Sequence, residues 1–211
     1  MPFGIGSAVK RANAVCPRCG ALERTRIFWD YLNQKNILSG NKKFFHVAPE
    51  QQFFERLTNH PNIEYIPVDK FTPGYVYPKG TIDMDITDIE LEDNSVDFIL
   101  CSHVLEHIPD DHKAMSELYR ILKPGGKGIL QVPLDANRKT TYEDDSITEP
   151  KEREKHFGQY DHVRLYGLDY KDRLEQAGFT VTLDDFAANA SDHDKFRFGY
   201  GKGELLYVVS K

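Results

Sequence analysis

Apolar residues gather along the chain into short runs with the look of buried strands, at 43–47 (KFFHV), 63–68 (IEYIPV), 96–101 (VDFILC), 128–134 (GILQVPL), 180–183 and 205–209. Several are apolar at successive rather than alternate positions, as in strands covered on both faces. A weaker segment, 81–86, lies between the second and third runs. Between the runs the period changes to that of helices. Residues 22–32 set Leu22, Ile27, Phe28, Trp29 and Leu32 near one stripe, and 52–57 forms a shorter one. Residues 111–122 carry Ala114, Met115, Leu118, Tyr119 and Leu122 on one side. Asp110 can cap that helix, and Lys123-Pro124-Gly125-Gly126 stops it; Gly178 closes a further helix over 168–177. Strands alternating with helices predict an α/β fold with a mainly parallel sheet. Two polar segments break the alternation. One is 187–203, rich in glycine and aromatics. The other, 135–164, runs for about 30 residues, a length that in a compact domain belongs to function or disorder.

Composition narrows the class. A chain of 211 residues suits one domain with room for a small appendage. With 40% hydrophobic and 28% charged residues, general disorder is ruled out. No stretch approaches the roughly 18 apolar residues of a membrane span. At the N-terminus the positive charges follow the short apolar stretch, the wrong order for a secretory signal, so a cytoplasmic chain is expected. The formal charge of −6 argues against coating nucleic acid non-specifically. Cys16 and Cys19 form a C-x-x-C pair and Cys101 stands alone, which is not a disulfide framework. Two thiolates at that spacing make half of a four-ligand zinc site, with His46 and Cys101 as open completions.

In open α/β sheets ligands sit beyond the carboxyl ends of the strands. Here those ends read His46-Val47-Ala48-Pro49-Glu50, Val68-Asp69, Asp85-Ile86, and Ser102-His103-Val104-Leu105-Glu106-His107. An acid after the second strand can accept both hydroxyls of a ribose. An acid after the third can take an adenine amine while the next backbone N–H meets a ring nitrogen. A nucleoside site without a phosphate cradle results, because neither G-x-G-x-x-G nor a P-loop is present.

The run 85–99 (DITDIELEDNSVDFI), then HVLEHIPDD and LYRILKPGG, resembles class I S-adenosylmethionine-dependent methyltransferases. The HVAPE segment, CPRCGALER at 16–24 and the FGQ, DHVR and YG pieces within 157–167 resemble a type 11-like bacterial and archaeal group. The resemblance implies a Rossmann-like seven-stranded sheet, mostly parallel with an antiparallel last strand and helices on both faces. Its cofactor would be S-adenosyl-L-methionine. Asp69 would bind the ribose, Asp85 and Ile86 would flank the adenine, Val47, Ala48, Pro49 and Glu50 would run beneath the methionine part, and Ser102 and His103 would lie beside the sulfonium. His46 stands where the family carries an acid, and no glycine follows it. Relatives also carry an upstream C-x-x-C that would complete a zinc ribbon; the present chain starts too late to include one, so Cys16 and Cys19 are expected to be a half-site.

A neutral acceptor needs a general base, and histidine suits that role near neutral pH. His103, His107 and, from the long loop, His162 are the candidate catalytic residues, with Gln159, Tyr160, Asp161 and Arg164 as the candidate lid and acceptor site. The acceptor expected is a small molecule or a glycan- or lipid-like group. The expected organisation is residues 1–34 as the C-x-x-C segment with its helix, and 35–211 as the methyltransferase domain with a lid at 135–165. Blander roles stand beside these. His46 reads as a hydrogen-bonded core histidine, His107 could simply pack on the following helix, and the charges of 143–145 and 151–155 form a solvated face. Two other functions stay open: a cofactor-binding protein without catalysis, and an RNA methyltransferase guided by a zinc ribbon.

Overall fold

The computed structural model describes residues 14–200 and 205–211. The N-terminal stretch read for a targeting signal, and residues 201–204 of the second polar connection, lie outside the described residues. In chain order the strands are β1 (Lys42–Val47), β2 (Ile63–Asp69), β3 (Ile82–Asp83), β4 (Val96–Ser102), β5 (Leu122–Gln131), β6 (Tyr142–Glu143), β7 (Arg164–Leu165), β8 (Thr180–Asp184) and β9 (Leu206–Ser210). The helices are α1 (Glu23–Gln34), α2 (Gln51–Thr58), α3 (Asp111–Ile121), α4 (Pro150–Phe157), α5 (Tyr170–Gln176), α6 (Phe186–Asn189) and α7 (Asp192–Phe198).

Seven strands form one sheet in the order β3-β2-β1-β4-β5-β9-β8, with β9 antiparallel to both neighbours and the other pairings parallel. Because successive strand side chains point to opposite faces, the apolar runs feed two cores. Phe44, Phe98, Leu100 and Ile129 pack with Ile27, Phe28 and Leu32 of α1 and with Phe53 and Leu57 of α2. Phe45, Ile99, Cys101 and Leu130 face the other way, onto Met115 and Leu118 of α3 and Tyr170 and Leu174 of α5. The expected α/β fold, with its antiparallel last strand and helices on both faces, is the one formed. Among the described residues no helix is long and apolar enough to cross a membrane.

Most elements lie where the pattern puts them, and Asp110 caps α3 by accepting the Lys113 N–H at 3.0 Å. Three boundaries differ. β5 begins at Leu122 rather than at 128, because Leu122 pairs with Val96 and the Gly125 N–H donates to Lys211 O at 2.8 Å, so Lys-Pro-Gly-Gly stays extended. It ends at Gln131, and Leu134 meets Tyr166 only through an isolated bridge. The weak segment 81–86 yields a two-residue strand, since Asp85 turns the chain by accepting the Thr87 N–H at 2.9 Å. The segment 135–164 is not structureless: β6 pairs with β7, and α4 between them buries Phe157 beneath charged, exposed positions.

Gly178 ends α5 at φ +108°, and a Cβ there would stand 2.8 Å from the Tyr119 ring. Gly178→Ala is therefore expected to cost roughly 1–3 kcal/mol, read from urea denaturation; an unchanged midpoint would remove this constraint.

Candidate active site

A cavity of about 530 Å³ opens over the carboxyl ends of β1, β2 and β4, within the usual range for small-molecule sites. Val47 and Ala48 come from the end of β1, Asp69 and Lys70 from β2, Asp85 and Ile86 from the turn after β3, and His103, Val104 and His107 from beyond β4. Tyr75 and Tyr77 of the following loop, and Tyr160 and Asp161 of the insert, close its mouth. The Tyr75 and Tyr160 hydroxyls meet at 3.0 Å. Two of its lips are strained: Ala48 has φ +51° and His103 φ +57°, a region that costs side-chain-bearing residues about 1–2 kcal/mol. Backbone bonds over-determine both, Ala48 N–H to Val68 O and His103 N–H to Gln131 O, each 2.8 Å.

At one end of the cavity Asp69 is half-buried. Burial pushes its carboxyl above the usual aspartate range and the Asp83 charge adds to this, offset in part by the Lys70 N–H. Asp85 behaves oppositely, its carboxyl pulled down to about 2 chiefly by Lys70 Nζ, which lies 2.6 Å away. Its other oxygen accepts from the Thr87 N–H and hydroxyl at 2.9 and 2.8 Å. Pro49, Glu50 and Ser102 lie outside the cavity wall, although the buried Ser102 Oγ has no hydrogen-bond partner among the described residues. His46 is a fully buried core histidine, its Nδ1 2.9 Å from the Tyr65 hydroxyl. Its Nε2 lies 3.6 Å from Glu50, whose carboxyl burial disfavours as a charge but which His46 and Arg24 hold below the usual range.

The opposite end gathers the histidines around a residue the sequence reading passed over. Glu106 is 1% exposed and, among the described residues, neither carboxylate oxygen accepts a hydrogen bond. The His103 Nδ1 lies 3.5 Å from its Oε1 and the His107 Nε2 3.9 Å. The His162 ring stands edge-on to that of His107, 4.7 Å between centroids, and burial lowers its pKa. Gln159 donates to Asp161 Oδ1 at 2.8 Å, and Asp161 Oδ2 lies 3.4 Å from His107 Nδ1. The missed signal was the spacing His103-x-x-Glu106-His107, which a tight turn at Leu105–His107 folds into one cluster. The aromatic stretch Phe71-Thr72-Pro73-Gly74-Tyr75-Val76-Tyr77 likewise held wall residues that were not singled out.

Arg164, expected at the acceptor site, does not line this cavity. It is 4% exposed, donating to the carbonyls of Leu105, Ile108 and Pro109 and pairing with Glu143 Oε2 at 2.9 Å. His46 and Cys101, the open completions of the cysteine pair, do not group with it. Among the described residues no third metal-ligating side chain joins Cys16 and Cys19, and burial pushes the Cys101 thiol far up. The pair instead sits in a small hairpin, Cys16 N–H to Ala21 O at 2.9 Å, docked on α2 by Gln52 donating to Cys19 O.

A family model described as a methyltransferase domain matches residues 62–130, from β2 through most of β5. A Mycolicibacterium smegmatis protein named for S-adenosylmethionine-dependent methyltransferase activity is 30% identical over 117 residues, 54% of this chain and 41% of its own length. Phosphoethanolamine N-methyltransferase 2 of Caenorhabditis elegans is 44% identical over 41 residues, 19% of this chain and 9% of its own length. The chain spans less than half the length of the curated relatives it matches. Among solved structures, an S-adenosylmethionine-dependent methyltransferase from Mesorhizobium loti has a TM-score of 0.60 at 14% identity, over 88% of this chain and 98% of that one. The fold is thus the class I methyltransferase fold.

Glycine at position 48 relaxes the left-handed backbone but loses more entropy on folding. Ala48→Gly is expected to raise stability by up to about 1 kcal/mol in thermal denaturation; a lower melting temperature would show that the lip carries no strain.

Proposed function

We propose that the protein transfers a methyl group from S-adenosylmethionine to a small-molecule or glycan- or lipid-like acceptor. The observation that carries this reading is one cavity lined by the half-buried Asp69 and by His103 and His107, with the buried Glu106 behind the two histidines. The residues present fit the cofactor. Asp69 offers a carboxylate to the ribose hydroxyls, Ile86 an apolar wall to the adenine, and the lip at Val47-Ala48 a close backbone approach without glycine. Ser102 Oγ, buried and unpartnered among the described residues, lies just behind. Asp85 would serve the adenine amine only by sharing oxygens already held by Lys70 and Thr87.

The cofactor, when bound, supplies an activated methyl group. The protein's own task is to orient an acceptor, take its proton and exclude water. His103, held at the cavity lip by its backbone, is the proposed base. His107, 3.4 Å from the Asp161 that Gln159 holds, is proposed to shape the acceptor side of the cavity. The Tyr75–Tyr160 contact roofs the cavity, and Arg164 keeps the insert in place without touching the acceptor. The formal charge of −6 weighs against the zinc-guided RNA reading.

Isothermal titration with S-adenosylhomocysteine is expected to show binding, and Asp69→Ala to weaken it by about 1–3 kcal/mol. No binding by folded protein up to millimolar ligand would defeat the proposal. Affinity should also fall on acidification, because Asp69 accepts from the ribose as a carboxylate. With its pKa raised, that loss begins at higher pH than for an ordinary aspartate; an affinity independent of pH would remove Asp69 from the ribose. Transfer of labelled methyl into fractionated cell extract separates an enzyme from a cofactor-binding protein without catalysis.

A further inference from the structure

Glu106 is buried with neither carboxylate oxygen hydrogen-bonded among the described residues, a costly arrangement unless the group is paired or coordinates a metal. His103 and His107 approach its Oε1 only to 3.5 and 3.9 Å, and the groups around it can supply the second solution. Ligand atoms of Glu106, His107 and His162 all lie within 4.8 Å of one another. Nδ1 of His162 is hydrogen-bonded to Phe157 O at 3.1 Å, and Nδ1 of His107 faces Asp161 Oδ2 at 3.4 Å, an ion-pair contact. A carbonyl on the far nitrogen of His162 fixes the tautomer that leaves its Nε2 free, the outer-shell pattern of metal-binding histidines, and Asp161 stands where it could do the same for His107. Gln159, holding Asp161 at 2.8 Å, extends that pattern outward.

We propose that Glu106, His107 and His162 bind one divalent transition-metal ion, of the zinc class, at the inner end of the cavity. Two imidazoles and one carboxylate are a donor set that suits zinc with a further position left open. Ligands about 2.1 Å from such an ion stand roughly 3.4 Å apart, so the triad closes by side-chain shifts on the order of 1 Å. His107 lies on the cavity wall, so the open position faces the acceptor space and takes an oxygen donor, a hydroxyl or carboxylate. A metal-bound hydroxyl is more acidic than a free one. The acceptor class rests on the methyl-transfer reading; the ion site itself does not.

Chelator-treated protein should be titrated with Co²⁺, followed by visible d–d absorption, and with Zn²⁺ in competition. One ion per chain is expected. Glu106→Gln should weaken binding on the order of 100-fold or more, and Asp161→Asn, which spares every ligand, about 10–100-fold. His162→Ala gives a second ligand test should Glu106→Gln fail to fold, with circular dichroism as the check. Absence of Co²⁺ binding, or equal binding by folded Glu106→Gln and His162→Ala, would overturn the site. So would a sulfur-to-cobalt charge-transfer band lost in Cys16→Ser, which would locate the ion at the cysteine pair. Ion binding without S-adenosylhomocysteine binding would leave the site standing and defeat the methyl-transfer reading; the converse would defeat the site alone.

Discussion

The geometry of the acceptor end depends on the buried guanidinium of Arg164. From β7 it donates to the carbonyls of Leu105, Ile108 and Pro109, the turn that carries Glu106 and His107. On its other side it pairs with Glu143 of β6, and Arg173 joins Glu143 to Asp111 at the start of α3. The Tyr166 hydroxyl donates to Asp111 at 2.6 Å. A turn after a parallel strand leaves carbonyls without intrahelical partners, and a guanidinium with five fixed donors can satisfy several at once. The same clamp fastens the insert beside the sheet, bringing Asp161 and His162 against His107. Loss of one partner from such a buried network typically costs several kcal/mol because the others are left unpaired.

The cavity is electrostatically lopsided. Asp69 and Asp85 line the same cavity yet are driven apart in acidity, one by burial and the other by Lys70. Near His103 and His107 lies the Glu106 carboxylate, which accepts no hydrogen bond among the described residues. The strained Ala48 and His103 lie at the ends of neighbouring strands, so strain is stored where backbone must approach a ligand. His46, fully buried, and the partly exposed Glu50 stand 3.6 Å apart at the end of β1.

The sheet was legible in the sequence because burial on both faces writes itself as consecutive apolar residues. Phe44 and Phe45, or Ile99 and Leu100, feed opposite cores from adjacent positions. Asp110 and Gly178 were legible for equally local reasons, a side-chain cap and a left-handed backbone. What was not legible depended on distant partners. Lys123-Pro124-Gly125-Gly126 reads as a stop, but pairing with Lys211 keeps it extended. Arg164 reads as an acceptor-site residue until its carbonyl partners, 55 to 59 residues earlier, are in place. Glu106 sat between two histidines already singled out, yet its burial depends on the insert folding back over it.

If one cavity over β1, β2 and β4 takes an adenosyl cofactor and an acceptor, as proposed, a crystal structure of the protein with S-adenosylhomocysteine will show the ribose on Asp69, the adenine against Ile86, and the sulfur beside His103 on the side facing Glu106. Ligand density elsewhere on the molecule, or a ribose hydrogen-bonded without Asp69, would contradict it.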